Sequence, residues 1–270
     1  MIPTEEKYIN YHNSSIHYTL TGEGLPVVFI HGFAEDSTVW KNQIAFLKNN
    51  YKLIIPDLPG SGQSTILKNE RIYVEDYAAC IKAILDTENI DRCVMIGHSM
   101  GGYITLAFAE KFPKSLISFG LFHSSAYADD ATKIETRKKA IDFIKNNNAE
   151  SFLKTSIPGL FFDTKTSENN IEILLKKGNN FTPDALIQYY EAMIARPDRT
   201  ILLKNSISPV LLIIGQHDKA VPFKLSLEQA NMPGHSYIYI LRNSAHMGML
   251  EERDRSNKIL ADFLQIHDLK

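Results

Sequence analysis

The chain has 270 residues, of which 44% are hydrophobic, and a formal net charge of −2 at pH 7. This length suffices for one sizeable core plus an insertion, and the small net charge argues against nucleic acid or an anionic membrane as a partner. The first seven residues lack a basic stretch followed by an apolar one, so we expect no signal peptide. No apolar run approaches the roughly 20 residues of a membrane span.

The first predicted elements are two strands, at residues 7–11 and 16–20, in which polar and apolar residues alternate. This pattern favours an antiparallel edge hairpin that turns at residues 12–15. Apolar strand runs then alternate with amphipathic helices predicted at 39–47 and 74–85. Near-continuous Val, Ile and Leu indicates strands covered on both faces, and the alternation is typical of a doubly wound α/β domain with a parallel sheet.

Two loops follow early strands of this predicted sheet. His31-Gly32-Phe33 comes after the apolar run 27–30, and we expect His31 to support the loop through its ring nitrogens. Asp57 opens a loop with two glycines and a proline after the strand at 52–55. These residues set a tight turn, so Asp57 is interpreted as a carboxylate that shapes the loop.

The strongest motif is Gly97-His98-Ser99-Met100-Gly101-Gly102, between an apolar strand at 93–96 and a helix at 103–112. A sharp strand-to-helix turn around a serine needs glycine on both sides, because a Cβ would clash with the crowded backbone. The turn lifts the Ser99 hydroxyl out of the sheet and places the Met100 amide at a helix N-terminus, which favours a developing negative charge. The motif predicts a nucleophile at Ser99; the alternative is a flexible turn with a capping serine.

Residues 126–206 read as four helical segments without a strand. A capping box at Thr132 and Glu135 predicts a helix that runs to about residue 146. Thr182 and Pro183 provide a cap and a first-turn proline for a helix over 184–195. Most apolar residues here are expected to pack onto the core, and a few to line an apolar acyl or alcohol pocket.

A general base and an acid appear in the last quarter of the chain. The apolar strand 210–214 leads into Gly215-Gln216-His217-Asp218, and the strand 237–241 is followed closely by His246. Loops after parallel strands converge on one edge of the sheet. We therefore expect Ser99, Asp218 and His246 to meet there, with the histidine as base and the aspartate orienting it.

These residues resemble the α/β-hydrolase family over nearly the whole chain. The order serine, acid, histidine is that of the family. Gly215, Asp218 and Pro222 match its Gly-x-x-Asp-x-x-x-Pro segment, and His246 matches its late histidine, although Ala245 stands where relatives usually carry glycine. The resemblance implies a mostly parallel eight-stranded sheet with helices on both faces and a helical cap inserted after the sixth strand. The core would then comprise residues 1–125 and 207–270, and the cap residues 126–206.

The resemblance also implies an oxyanion hole formed by the Phe33 and Met100 amides, and Phe33 is a candidate substrate contact. His123 ends a strand beside the expected pocket, which makes it a second candidate contact, although a packed or backbone-bonded role is favoured for it. Some relatives place the acid one strand earlier. Here that strand carries no carboxylate at its tip, and Asp129 and Asp130 come later, so Asp218 keeps the assignment.

Similar proteins include small capped bacterial hydrolases such as 3-oxoadipate enol-lactonases and carboxylesterases. We therefore expect a serine hydrolase that cleaves a small ester or lactone through an acyl-enzyme. Carbon–carbon bond hydrolases and perhydrolases share the triad pattern, and a receptor that only binds a small ligand is a further alternative. Ser99 argues against the dehalogenase and epoxide hydrolase branches, which use aspartate as nucleophile. No cluster of His, Cys and Asp has metal-ligand spacing, so neither a metal nor a cofactor is expected.

The remaining polar residues have simpler expected roles. His98 fills a variable position of the serine turn. The cap residues Arg137, Arg196 and Arg199 are expected to be solvated surface charges, although an inward-pointing arginine would favour an anionic substrate. Four histidines are expected to be exposed: His12, His17, His235 and His267.

Cellular context follows from the cysteines and the charge. Cys80 and Cys93 are interpreted as small core residues, and two cysteines in this length favour a reducing cytoplasm. The expected partner is a small-molecule substrate rather than nucleic acid or a membrane. The oligomeric state stays open, with a homodimer as one alternative.

Overall fold

A computed structural model describes residues 3–267 of the chain. Eight strands form one sheet in the order β1-β2-β4-β3-β5-β6-β7-β8. The strands are β1 (Thr4–Tyr11), β2 (Ser14–Thr21), β3 (Leu25–Ile30), β4 (Tyr51–Pro56), β5 (Cys93–His98), β6 (Leu116–Phe122), β7 (Val210–Gly215) and β8 (Ser236–Leu241). From β4 to β8 every neighbouring pair is parallel. The predicted α/β architecture with a mostly parallel eight-stranded sheet is confirmed.

The antiparallel part of the sheet is the predicted hairpin at its edge. β1 pairs with β2 so that Thr4 lies opposite Thr21, and β2 also runs antiparallel to β4. The turn consists of His12 and Asn13, whose φ angles of 47° and 62° are both positive. Two successive positive φ angles suit the right-handed twist of a tight hairpin, and asparagine tolerates this conformation.

Helices cover both faces of the sheet. They are α1 (Lys41–Leu47), α2 (Val74–Thr87), α3 (Met100–Lys111), α4 (Ala131–Asn146), α5 (Ala149–Ser156), α6 (Glu168–Gly178), α7 (Pro183–Ala195), α8 (Thr200–Lys204), α9 (Phe223–Ala230), α10 (Gly248–Glu251) and α11 (Arg253–Gln265). Every residue of β5 and β7 is buried, as burial on both faces requires. Helix α2 packs on α3, and α1 packs on α11. Within residues 3–267, no helix combines the length and apolar character needed to cross a bilayer.

The chain between β6 and β7 forms five helices, α4 to α8, rather than the four segments expected. Asp130, not Thr132, caps α4: its carboxylate accepts a hydrogen bond from the Lys133 amide at 2.8 Å, so the predicted capping box was wrong. The cap of α7 is as predicted, because Thr182 Oγ1 accepts from the Ala185 amide at 3.2 Å. Helix α4 packs against α7, and α5 against α6.

The loop after β4 depends on Asp57, as expected. Its buried carboxylate accepts hydrogen bonds from the Ser37 and Gln63 amides and from His17 Nδ1, at 2.8, 2.9 and 2.8 Å. Burial alone would raise the pKa of Asp57, but the hydrogen bond from His17 and those from the two amides lower it to about 2. The prediction that His17 is exposed was wrong, since its ring is buried between Asp57 and Glu6.

The predictions for the other histidines expected to be exposed and for the two cysteines were mostly correct. His12 and His235 are exposed as expected, whereas His267 is half-buried and bonds Ser118 Oγ through Nε2 at 2.7 Å. Both cysteines are buried and unpaired with each other, which confirms them as core residues.

Candidate active site

Ser99 lies at a sharp turn between β5 and α3, at the carboxyl edge of the sheet. Its backbone is held at φ 51° and ψ −115°, and Ser124 Oγ donates a hydrogen bond to the Ser99 carbonyl at 2.6 Å. A Cβ on Gly97 would lie 2.2 Å from the Gly101 carbonyl oxygen, and one on Gly101 would lie 2.4 Å from that of Ile30. Only glycine fits at these two positions, so the sequence pattern and the strained turn have one steric cause.

The structure brings Ser99, His246 and Asp218 together, although they follow three different strands. His246 Nε2 lies 2.8 Å from Ser99 Oγ, and His246 Nδ1 lies 2.7 Å from Asp218 Oδ2. The second oxygen of Asp218 accepts hydrogen bonds from the Ala220 and Val221 amides at 2.8 and 2.9 Å. This geometry fixes the Nδ1–H tautomer, which leaves Nε2 free to accept the Ser99 proton.

The environment of Asp218 keeps it ionised. Its carboxylate is buried, and burial alone would raise its pKa. The charge and hydrogen bond of His246, with the Val221 amide, outweigh burial and hold the pKa of Asp218 below its usual value. At neutral pH the aspartate therefore remains an acceptor for the imidazole N–H.

Hydrogen bonds to the segment between β6 and β7 and to α10 hold the backbone around His246. The His246 amide donates to the Leu160 carbonyl at 2.8 Å. Glu251 Oε2 accepts from the amides on both sides of the histidine, those of Ala245 and Met247, at 3.0 and 3.2 Å. These contacts fix the histidine loop against its surroundings.

A buried ion pair between Glu35 and His98 lies against His246. His98 Nδ1 lies 3.0 Å from Glu35 Oε2, and His98 Nε2 donates to the His246 carbonyl at 2.8 Å. Both ring nitrogens face acceptors, as an imidazolium requires. Burial opposes charge on each group, but their mutual attraction raises the pKa of His98 and lowers that of Glu35. Sequence reasoning missed this pair, because its members lie 63 residues apart and His98 was interpreted as filling a variable position of the serine turn.

We expect Glu35→Gln to lower the free energy of unfolding by about 1.5–3 kcal/mol near pH 5.5, because His98 loses a charged partner in the interior. The raised pKa of His98 makes its contribution complete below 6.5 and lost as the pH rises through that pKa. The lowered pKa of Glu35 makes its contribution complete above 4.5 and lost as the pH falls through that pKa. The difference from wild type is therefore greatest between these values and shrinks at alkaline pH, above the raised pKa of His98.

Urea unfolding near pH 5.5 and at alkaline pH measures this difference in the free energy of unfolding. The exposed Glu23, changed to Gln, is the matched control and should unfold like wild type at both. A loss for Glu35→Gln that does not vary with pH would contradict the ion pair.

His123 lies behind Asp218 rather than in the cleft. Its ring is buried, its Nε2 accepts from the Gly248 amide at 3.2 Å, and its Nδ1 is 3.7 Å from Asp218 Oδ2, too long for a hydrogen bond. The positive φ of 48° turns the side chain inward at the end of β6. Burial lowers the pKa of His123 well below its usual value, so the ring is neutral. His123 is therefore not the substrate contact it was a candidate for, and its ring has the packed, backbone-bonded role that the sequence favoured.

The Phe33 and Met100 amides lie at the same edge of the sheet. Met100 is the first residue of α3, so its N–H has no partner within the helix. His31 supports the Phe33 loop as expected: Nδ1 donates to the Gly32 carbonyl at 2.8 Å, and Nε2 accepts from the Leu58 amide at 2.9 Å. Within residues 3–267, neither the Phe33 nor the Met100 amide donates to another protein group. Both are available to a carbonyl oxygen.

A cleft of about 470 Å³ opens onto Ser99 and His246. Part of its wall is apolar and includes Phe33, Leu160 and Tyr190, and part is cationic and includes Lys133, Arg137 and Lys219. A smaller chamber of about 100 Å³ adjoins the apolar wall and reaches Leu153 and Leu174. Over the described part of the chain, no three or more His, Cys, Asp or Glu side chains are arranged to hold a metal ion.

The three arginines between β6 and β7 are not solvated surface charges, so that expectation was wrong. Arg196 and Arg199 are buried, and Arg137 is half-buried. Arg199 pairs with Glu75 and Glu110, and Arg137 and Arg196 share one carboxylate. That carboxylate, Asp129, is therefore occupied by guanidinium groups and not by His246. Because these partners are distant in sequence, the arginines resembled ordinary helix-surface charges.

Comparisons with known proteins agree with this architecture. A family profile described as "alpha/beta hydrolase fold" matches residues 26–147. The chain is 26% identical to 2-hydroxy-6-oxononadienedioate/2-hydroxy-6-oxononatrienedioate hydrolase of Paraburkholderia phymatum, over 92% of this chain and 90% of the relative. It is also 26% identical to pimeloyl-[acyl-carrier protein] methyl ester esterase of Legionella pneumophila, over 93% of this chain and all of the relative.

A solved structure gives the same result. The thermophilic esterase from Thermogutta terrifontis, with malate bound, superposes with a TM-score of 0.88 at 26% identity, covering 97% of this chain and 98% of the esterase. The two chains therefore share one fold over almost their full length. The chain therefore has the α/β-hydrolase fold.

Proposed function

We propose that the protein is a serine hydrolase that cleaves a small carboxylic ester or lactone through an acyl-enzyme. The observation that carries this proposal is the continuous path of hydrogen bonds from Ser99 Oγ through His246 to Asp218, open to a cleft at its serine end. A serine hydroxyl is a weak nucleophile, and this path supplies the base and the orienting carboxylate that activate it. Esterases stand among the relatives and the structural neighbours.

The proposed reaction has two halves. Ser99 Oγ attacks the ester carbonyl while His246 Nε2 takes its proton, and the Phe33 and Met100 amides bind the oxygen that becomes negative. Collapse of the tetrahedral intermediate breaks the bond to the alcohol, which leaves with the proton from His246. Water then attacks the acyl-enzyme, gives one proton to His246, and releases the acid as the proton returns to Ser99. Asp218 stays ionised throughout and stabilises the imidazolium.

We infer that the helices between β6 and β7, residues 126–206, act as a cap over this site. Tyr189 of α7 donates to the Pro59 carbonyl at 2.8 Å, and the Leu160 carbonyl accepts from His246 itself. Tyr190 packs on Phe33 with ring centroids 4.4 Å apart. These contacts support a cap that both closes the apolar wall and holds the catalytic histidine loop. The adjoining 100 Å³ chamber would accommodate a small apolar acyl or alcohol group.

Carbon–carbon bond hydrolysis is the second candidate, favoured by the dienedioate hydrolase relative. It requires the same serine, histidine and aspartate, so the triad geometry does not separate the two reactions. A perhydrolase shares the triad as well. A receptor of the same fold would bind a small ligand with little or no repeated turnover.

Steady-state assays on three substrate classes decide between these candidates. Short-chain esters, small lactones and ring-cleavage dienones should be compared at equal concentration, with Ser99→Ala as the blank. We expect many turnovers per active site on esters or lactones and a much lower kcat/KM on dienones. Preferential turnover of dienones would replace the ester proposal with carbon–carbon hydrolysis, and a single turnover on every class would favour the receptor.

We further infer a cytoplasmic enzyme that acts on a small molecule. The two buried thiols, which form no disulfide, and the net charge of −2 support this inference. Fractionation of cells that express a tagged full-length chain would test it.

A further inference from the structure

One carboxylate in the cap neutralises only one of two neighbouring guanidinium groups. Asp129 has a fully buried side chain, and its Oδ2 lies 2.6 Å from Arg137 Nε while its Oδ1 lies 2.8 Å from Arg196 Nη2. Two cations against one anion leave a net positive charge in this cluster. An uncompensated charge away from water is costly, so the cluster is poised to accept an anion.

The Arg196 guanidinium donates to backbone carbonyls, whereas the Arg137 guanidinium donates to none. Arg196 donates to the Met193 and Tyr127 carbonyls at 2.7 and 3.0 Å and stacks on the Tyr103 ring. Arg137 lines the cleft, where its Nη1 donates to the sulfur of Met193 at 3.2 Å and its guanidinium carbon lies 5.7 Å from the centre of the Tyr190 ring. A thioether is a weak acceptor, so this edge of the Arg137 guanidinium keeps donors for a stronger one.

The surroundings of Arg137 add to this positive potential. Lys133 and Lys219 line the same cleft, and Lys133 Nζ is held by the Ala220 carbonyl at 2.9 Å. Tyr103 also lines the cleft, and its hydroxyl has no hydrogen-bond partner within residues 3–267. Burial would raise the pKa of Tyr103, but Arg196, Lys133 and Arg137 lower it, as a positive environment requires.

The acidic residues of the cleft do not cancel this charge. Glu35 is paired with His98 and accepts from the Gly32 amide. Asp130 accepts from the Lys133 amide at the start of α4. Apart from Asp129, no carboxylate within the described residues pairs with Arg137.

We propose that the cationic wall of the cleft is a carboxylate-binding subsite centred on Arg137, and that the substrate is an ester carrying a free carboxylate, such as a half-ester of a dicarboxylic acid. This inference rests on the proposed function, since it names the substrate class of the same site. Arg137 offers the carboxylate charge-assisted hydrogen bonds, and the Tyr103 hydroxyl is placed to donate another. The apolar chamber beside Phe33 would take the small uncharged group on the other side of the scissile bond.

A matched pair of substrates isolates the charge. Monomethyl adipate and its neutral amide, methyl adipamate, have nearly the same shape and differ at the remote end. We expect wild type to favour the monoester in kcat/KM by about tenfold or more. Arg137→Met should reduce kcat/KM for the monoester by about tenfold to hundredfold, mainly through KM, and for the amide by a much smaller factor.

Two further variants control for charge and folding. Lys138 is exposed on the same helix, and Lys138→Met makes the same change in net charge, so it should act like wild type on both esters. Arg137→Lys keeps a cation beside Asp129 but loses the planar fork, and should still lower the preference for the monoester severalfold. Equal kcat/KM for the two esters in wild type, or equal losses on both in Arg137→Met and Arg137→Lys, would overturn the subsite.

Binding separates this inference from the proposed function. In Ser99→Ala, titration calorimetry should give a Kd for monomethyl adipate that rises about tenfold or more when Arg137→Met is added. If wild type hydrolyses neither ester but this binding difference is found, the proposed function fails and the subsite stands. Unchanged affinity would overturn the subsite even in an active esterase.

Discussion

Replacing Ser99 with alanine should reduce kcat by a factor on the order of 10⁵ to 10⁶, the scale seen when a triad nucleophile is lost. The attacking oxygen disappears, and His246 then has no nucleophile within hydrogen-bond distance. Alanine fits the position, so the fold should be preserved. Initial rates on the best ester, with circular dichroism to confirm folding, measure this effect.

Ser15→Ala is the matched control, because Ser15 is exposed in the edge hairpin and far from the cleft in the sheet order. It should keep wild-type kcat and KM. If Ser99→Ala retained more than about a hundredth of wild-type kcat, a loss well short of that expected for a nucleophile, Ser99 would not be the nucleophile.

Replacing Asp218 with asparagine should lower kcat by about 10⁴-fold while the fold is kept. The amide cannot stabilise the imidazolium, and it favours the wrong tautomer of His246. In wild type, kcat should rise with pH from the acidic side, because a general base must be neutral to accept the proton of Ser99. Since the pKa of Asp218 is lowered, the aspartate remains ionised across this rise.

Asp130→Asn provides the comparison, since asparagine also caps helices and Asp130 does not contact His246. It should leave kcat on neutral esters close to wild type. A nearly wild-type Asp218→Asn together with an inactive Asp129→Asn or Asp130→Asn would move the catalytic acid to the segment after β6.

The architecture and the triad could be predicted because their causes are local in sequence. The glycines around Ser99 reflect a steric requirement of the turn, and Asp218 and His246 each follow an apolar strand. Parallel strands deliver their following loops to one edge, so three distant residues could be placed together without knowing any side-chain contact. The edge hairpin could also be predicted, because polar and apolar residues alternate along its two strands.

Most of the contacts that sequence reasoning missed join residues that lie far apart in the chain. Glu35 and His98 look unremarkable singly, and only the fold buries them as a pair. Arg137 lies within α4 and Arg196 directly follows α7, and only the fold places Asp129 between them. His123 ends a strand near the site, but its positive φ turns the ring towards Asp218 instead of the cleft.

Covalent labelling with a fluorophosphonate probe tests the activation of Ser99 most directly. Such a probe reacts with a serine whose hydroxyl is activated by a neighbouring base and whose adduct oxygen is bound by an oxyanion hole. Mass spectrometry of the wild-type chain should show one adduct, on the peptide that contains Ser99, and labelling should be lost in Ser99→Ala and greatly slowed in His246→Ala. An adduct on another serine, or labelling that persists unchanged in Ser99→Ala, would contradict Ser99 as the nucleophile.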